Sequence, residues 1–222
     1  LWVLCTPTYP HVMPGEHPHC QLLILEDADG DGRADASTIF ADGLYIPTGF
    51  ALDGDGSVYL GQAPDFIRLR DTDGDDRADV TEVLFSGFGM CDSHHTVSAF
   101  EWDPMGGLMF HEGVFTKSNV ETPYGTRRVS DAGVWRFDPR TGKLHVVSHC
   151  SFANPWGHVF DDYGASVLAD ASGGANFAFA HVSIPYVYPQ KPRRPGHILN
   201  RGRPTAGCEI IASRHFPDDV QG

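Results

Sequence analysis

Residues 27–35 read Asp-Ala-Asp-Gly-Asp-Gly-Arg-Ala-Asp, and residues 71–79 read Asp-Thr-Asp-Gly-Asp-Asp-Arg-Ala-Asp. The two nonapeptides start 44 residues apart (71 − 27 = 44). The likeness runs outward without a gap: LEDADGDGRADASTIFADGL from Leu25 falls on LRDTDGDDRADVTEVLFSGF from Leu69. A spacing of this kind marks a structural repeat. Each nonapeptide places carboxylates at its positions 1, 3, 5 and 9, as Asp27, Asp29, Asp31 and Asp35, then as Asp71, Asp73, Asp75 and Asp79. Like charges this close repel unless a cation lies between them. Hard oxygen donors at this spacing, with Gly32 at position 6 for the tight turn, suit calcium. A helical EF-hand would also need Glu at position 12. Thr38 stands there in the first loop, and the second has Glu82 but Asp76 in place of the glycine. The flanks QLLILE and VTEVLF have the character of strands. The expectation is a pair of calcium-type hairpin loops within a β-sheet, structural rather than catalytic, against the alternative of two solvated acidic turns.

Outward from these loops, short apolar or alternating runs recur between Gly, Asp and Pro: GSVYLGQ, FIRLR, GLMFHEG, GVWRFD, KLHVVS and ASVLAD. Each is of strand length, so the chain reads as all-β. A second element repeats as PTGFALDGDGSVYLG from Pro47, TVSAFEWDPMGGLMFHE from Thr96 and PWGHVFDDYGASVLAD from Pro155, marked by the turn acids Asp53, Asp103 and Asp161. Units of roughly 40–60 residues built from two successive hairpins are the mark of propeller blades. The predicted fold is a β-propeller of the six-bladed type, with this chain covering about four blades of it as a fragment. The blade segments fall at about 1–46, 47–94, 95–154 and 155–222. An insertion, HEGVFTKSNVETPYGTRR, lengthens the third and is expected over one end of the ring.

Composition bounds the function. The chain has 222 residues, 41% of them hydrophobic, enough for a substantial core, and a formal net charge of −13. Acidity of this degree argues against a nucleic-acid partner, which needs a basic stripe. The one basic cluster, Lys191, Arg193, Arg194, Arg201 and Arg203, is Pro-rich and reads as a solvated loop rather than a polyanion site. No run of 18 apolar residues is present, so no transmembrane segment is expected within the chain. The first residues, LWVLCT, read as a strand already under way, as in a piece of a longer protein. Five cysteines without a CxxC or CxxCH pair give neither a zinc framework nor a haem attachment site, and leave room for one or two disulfides.

Twelve histidines are many for this length, and the informative pair is His94-His95 in Cys91-Asp-Ser-His-His95, just before a blade's first strand. Such a segment ends near a propeller's axis, where a neutral imidazole can draw a proton from an alcohol. The alternative is a hydrogen-bonded surface pair. DSHHTVSAFEWDPMGGLMF and ANPWGHVFDDYGASVLADASGG resemble segments of the soluble quinoprotein sugar dehydrogenases. The whole chain resembles the bacterial proteins assigned as membrane-bound dehydrogenases, whose propeller is similar to the glucose/sorbosone dehydrogenases and is often fused to a cytochrome c-type haem domain. The residues that carry the resemblance include LEDADGDGRADASTIFADGLYIPTG, DSHHT, VETPYG, NPWGH and the closing CEIIASRHFPDDVQG.

What the resemblance implies is oxidation of a sugar or other alcohol by a pyrroloquinoline quinone (PQQ)-type enzyme. His95 would be the base and His94 the fallback. Asn154 and His158 would line the cofactor channel, and calcium would polarise the quinone. It also implies a cytochrome c-type electron acceptor, haem c only in a fused domain outside this chain, and an exported location, periplasmic or membrane-associated on the outer side. The sequence departs from the pattern at Ala153, where a cofactor-binding Arg is expected, and at Gly173-Gly174-Ala175-Asn176, which lacks an acid pair. Arg127, Arg128 or Lys117 of the insertion would then have to hold the cofactor's carboxylates. Two other readings compete. One is a non-catalytic, calcium-stabilised propeller that binds glycan or protein. The other is a metal-dependent hydrolase or lactonase using Glu112, Asn154 and Asp170.

Overall fold

The computed structural model describes residues 1–172, 174–179, 186–200, 207–213 and 215–221. It divides into two compact units, Leu1–Val97 and Ser98–Gly222.

The first unit carries two antiparallel sheets. β1 (Trp2–Cys5), β2 (Cys20–Glu26) and β3 (Ala36–Leu44) form one; β4 (Gly49–Leu52), β5 (Val58–Gln62), β6 (Asp65–Arg70) and β7 (Val80–Ser86) form the other, each in sequential order. The central strand β5 is buried at four of its five positions, as its apolar run VYLG requires. Cys20, Leu22, Phe40 and Leu44 of the first sheet pack with Val58, Leu60, Ile67 and Leu69 of the second in one core. Both acidic nonapeptides are hairpin connections, β2 to β3 and β6 to β7. Position 6 of each is left-handed: Gly32 has φ +87° and Asp76 φ +63°. Aspartate tolerates this region better than most side chains, so the second loop keeps the turn without the glycine.

The second unit begins with β8 (Ser98–Trp102) and β9 (Leu108–Glu112), continues through β10 (Lys117–Val120) and β11 (Arg127–Ser130), and returns as β12 (Gly133–Asp138) and β13 (Lys143–Ser148). Strands β13-β12-β9-β8 form one sheet, and β10 and β11 form a two-stranded sheet among the described residues. The insertion is therefore a hairpin of its own, with Ser118 opposite Val129 and Asn119 opposite Arg128. A further sheet follows from β14 (Pro155–Phe160), β15 (Ser166–Asp170), β16 (Ala175–Ala178) and β17 (His197–Asn200). Met109, Val134, Phe152, Leu168, Phe177 and Phe179 make the core.

The second sequence repeat has one structural cause. In the hairpins β4–β5, β8–β9 and β14–β15, the turn aspartate donates its backbone N–H four residues ahead and accepts from a glycine three ahead: Asp53 with Ser57 and Gly56, Asp103 with Gly107 and Gly106, Asp161 with Ala165 and Gly164. Each of those glycines has φ near +80° (84°, 78° and 79°), which is why glycine recurs there. Among the described residues no two cysteines are joined in a disulfide. Among the described residues no helix is long and apolar enough to cross a membrane.

Candidate functional site

Asp92 ends the loop after β7, and its carboxylate caps the 3₁₀ turn Ser93–His95 by accepting from the His94 backbone N–H at 2.9 Å. That turn swings His95 back, so that Nδ1 lies 3.1 Å from the other Asp92 oxygen. The His95 side chain is 8% exposed, against 31% for Asp92. Burial raises the Asp92 carboxyl, but the His94 N–H and the His95 imidazole more than offset it and hold the group below its ordinary value. Asp92 is therefore an anion at neutral pH, turned to Nδ1, and Nε2 is the ring nitrogen left to take a proton. The spacing Asp-x-x-His was legible in the sequence, and the reading of the two histidines passed over the acid beside them.

The segment after the turn is pinned from below. The Thr48 hydroxyl meets Thr96 Oγ1 at 3.0 Å and donates to the Val97 carbonyl, and the Val97 side chain and carbonyl lie where a Cβ on Gly61 would fall, at 2.9 Å. His94 is exposed and stands edge-on to His95 with ring centroids 5.0 Å apart; its Nδ1 is 3.1 Å from the Tyr9 hydroxyl. Beside this turn lies a cleft of about 110 Å³, lined among others by His11, Tyr45, Ile46, Met90, Cys91 and Thr96. Ile46 holds φ +43° there although it is β-branched and nearly buried. Strain of that kind costs about 1–3 kcal/mol and concentrates at functional sites.

The acidic loops converge in part. Carboxylate oxygens of Asp27, Asp29 and Asp35 lie within 4.8 Å of one another, as do those of Asp71, Asp73 and Asp75. Asp31 and Asp79 stand outside these groups: Asp31 accepts from the Arg33 N–H, and Asp79 from the N–H and hydroxyl of Thr72. Backbone N–H groups, Gly74 first, hold Asp71 below the ordinary carboxylate value, whereas the charge of Asp75 pushes Asp73 above it. A cation would relieve that repulsion.

The residues expected around a quinone do not form a cradle. His158 is buried, with Nδ1 3.0 Å from His111 Nε2, and His111 Nδ1 lies 2.6 Å from the Pro155 carbonyl. Burial pushes His111 down to about 4, so it is neutral and structural. Arg128 donates to Asn119 and its backbone is bracketed by the Tyr186 hydroxyl, while Arg127 reaches the Gly125 carbonyl. Lys117 begins β10 on the same hairpin and is exposed. The Asn154 N–H is given to Asp170, and Ala153 offers only a methyl. These residues do not fit a tricarboxylate. The alternative ligands are engaged as well. Glu112 accepts from Ser118 at 2.5 Å and from the Trp135 indole at 2.8 Å, and Asp170 from the Ala153 and Asn154 N–H groups and from Arg194.

Comparison with known proteins supports the fold. Residues 1–215 match the family model described as "Domain of unknown function (DUF7133)". No curated protein matches the chain by sequence. Among solved structures, a protein provisionally assigned as a gluconolactonase superposes with a TM-score of 0.54 at 16% identity, over 86% of this chain and 61% of that one. The chain thus spans less than two thirds of that protein. The holo PQQ domain of pyranose dehydrogenase from Coprinopsis cinerea gives 0.32 at 14% identity, over 72% of this chain and 49% of that one. A luciferin-regenerating enzyme gives 0.36 at 9%, over 77% and 67%. At such identities likeness shows the fold alone: the chain is all-β with the blade-like sheets of a β-propeller.

Proposed function

From the premise that the chain belongs to the DUF7133 family, we propose that it acts on a hydroxyl of a sugar or other alcohol, with His95 as the general base. The observation that carries this reading is the pair His95 Nδ1–Asp92 at 3.1 Å, buried on the histidine side, in a turn whose Ser93 and Thr96 line the cleft. An ionised Asp92 orients the ring and stabilises the imidazolium that forms when Nε2 takes the proton. The cleft's volume admits one end of a polyol rather than a whole sugar. His94, held by Tyr9, orders the rim.

The oxidising class is supported by the likeness of DSHHT and its neighbours to the quinoprotein sugar dehydrogenases. That class implies a PQQ-type quinone, a cytochrome c-type electron acceptor and a place of work outside the cytoplasm; because the residues described above do not fit the quinone's carboxylates, the reading is confined to the proton taken by His95. The acidic hairpins are structural calcium sites in this reading, through Asp27, Asp29 and Asp35 and through Asp71, Asp73 and Asp75. Lactone hydrolysis at a metal held by Glu112, Asn154 and Asp170 is less supported, because both carboxylates already accept from protein donors.

The test is dye-linked oxidation of a panel of aldoses and polyols by the purified chain with PQQ and calcium added. Turnover that falls at least tenfold in Asp92→Asn supports the proposal. No turnover on any member of the panel, with no binding of PQQ by titration, overturns the oxidising class.

A further inference from the structure

The second unit holds a feature that the proposed reaction does not use. Between Ser151, the strand β16 and the stretch leading into β17 lies an open groove of about 970 Å³. Its lining includes Lys191, Arg193, Arg194, His197 and Ser151, and among the described residues no Asp or Glu. That is unexpected in a chain with 29 acidic and 16 basic residues. Two of the cations are fixed in place. Lys191 Nζ donates to the Asp131 carbonyl at 2.7 Å and lies 3.8 Å from its carboxylate, and Arg194 meets the buried Asp170 carboxylate at 3.1 Å with its guanidinium 5.7 Å over the Phe177 ring. Arg193 is exposed and makes no ion pair with any described residue. Two anchored cations thus flank one that is available, with His197 and the Ser151 hydroxyl beside them.

We propose that this groove binds an acidic saccharide, a short sugar chain bearing carboxylates, with Arg193, which makes no ion pair with a described residue, pairing a carboxylate bidentately between the anchored Lys191 and Arg194. Guanidinium is the group suited to planar oxyanions. The volume lies at the upper end of the roughly 300–1,000 Å³ typical of small-molecule sites, too large for a lone anion. A net charge of −13 repels a densely charged polymer such as nucleic acid. Phe177 is 3% exposed and offers no face for stacking a base. The oxyanion preference rests on the groove alone; the sugar scaffold rests on the reading of the His95 site.

The experiment is calorimetric titration of the whole chain with trigalacturonate, the neutral galactose trimer, sodium sulfate and a single-stranded DNA oligomer, read in low and in raised salt. Expected is saturable binding of trigalacturonate that weakens with salt, none of the neutral trimer, and about tenfold or greater weakening in Arg193→Ala. Arg140→Ala, which removes an exposed arginine of the β12–β13 turn, leaves it unchanged. Equal binding of the neutral trimer, equal affinity for sulfate or for DNA, or no effect of Arg193→Ala with the circular dichroism intact would each overturn the proposal. Binding without any turnover at His95 keeps the groove and removes the other reading.

Discussion

Acidification should unfold this protein through one buried histidine. His111 is fully buried, with Nδ1 given to the Pro155 carbonyl and Nε2 facing His158. Its value falls from 6.5 to about 4 because burial penalises the charged ring. Below pH 6.5 the unfolded chain takes a proton at this position while the folded chain does not. The stability it contributes is complete above that pH, declines as the pH falls, and is gone near pH 4. A gap of about 2.5 units at about 1.4 kcal/mol each corresponds to about 3 kcal/mol. The assay is urea unfolding at half-unit steps from pH 7.5 to 4, for the natural chain and for His111→Asn. Asparagine keeps a donor toward the carbonyl and does not titrate. The variant will be less stable at every pH, so the diagnostic is the slope: the natural chain should lose about 3 kcal/mol more across the range. Parallel curves would refute the assignment, since the carboxylates common to both chains cancel in the difference.

Three further outcomes follow from the packing and the loops. Gly61→Ala forces a methyl against the Val97 carbonyl and side chain at 2.9 Å, and should cost about 1–3 kcal/mol in urea unfolding. Glu112→Ala leaves Ser118 and the Trp135 indole without their carboxylate, and should cost about 2–5 kcal/mol and shift the tryptophan emission, equally with and without calcium. Calcium at 100 times its dissociation constant should stabilise the chain by about 2.7 kcal/mol per independent site, read as a rise in melting temperature, and the double change Asp29→Asn and Asp73→Asn should remove the rise.

The strands and the hairpin turns were legible because their signals are local. An aspartate with a glycine three residues on prescribes its own turn, and Asp53, Asp103 and Asp161 repeat one hydrogen-bond pattern. The acidic loops were legible as hairpins for the same reason. Their ligand sets were less so: sequence spacing places all four carboxylates of each loop together, while three of each converge, Asp27, Asp29 and Asp35 in one and Asp71, Asp73 and Asp75 in the other. The insertion, expected to lie over one end of the ring, is a hairpin about the Thr122–Gly125 turn, with Val120 opposite Arg127 and Ser118 opposite Val129. The resemblance implied that His158 lines a channel, but β14 buries Gly157, His158 and Val159 in succession, and His158 Nδ1 meets His111, 47 positions earlier. No local pattern announces a contact of that range.

The central claim is that His95, oriented by Asp92, takes the substrate proton. The most direct measurement is the turnover number in the dye-linked assay for His95→Ala beside His94→Ala, each with its melting temperature. The account predicts a loss of about 10²–10⁴-fold for the first and a few-fold change for the second, at unchanged folds. Equal losses in the two variants, or full turnover in His95→Ala, would contradict it.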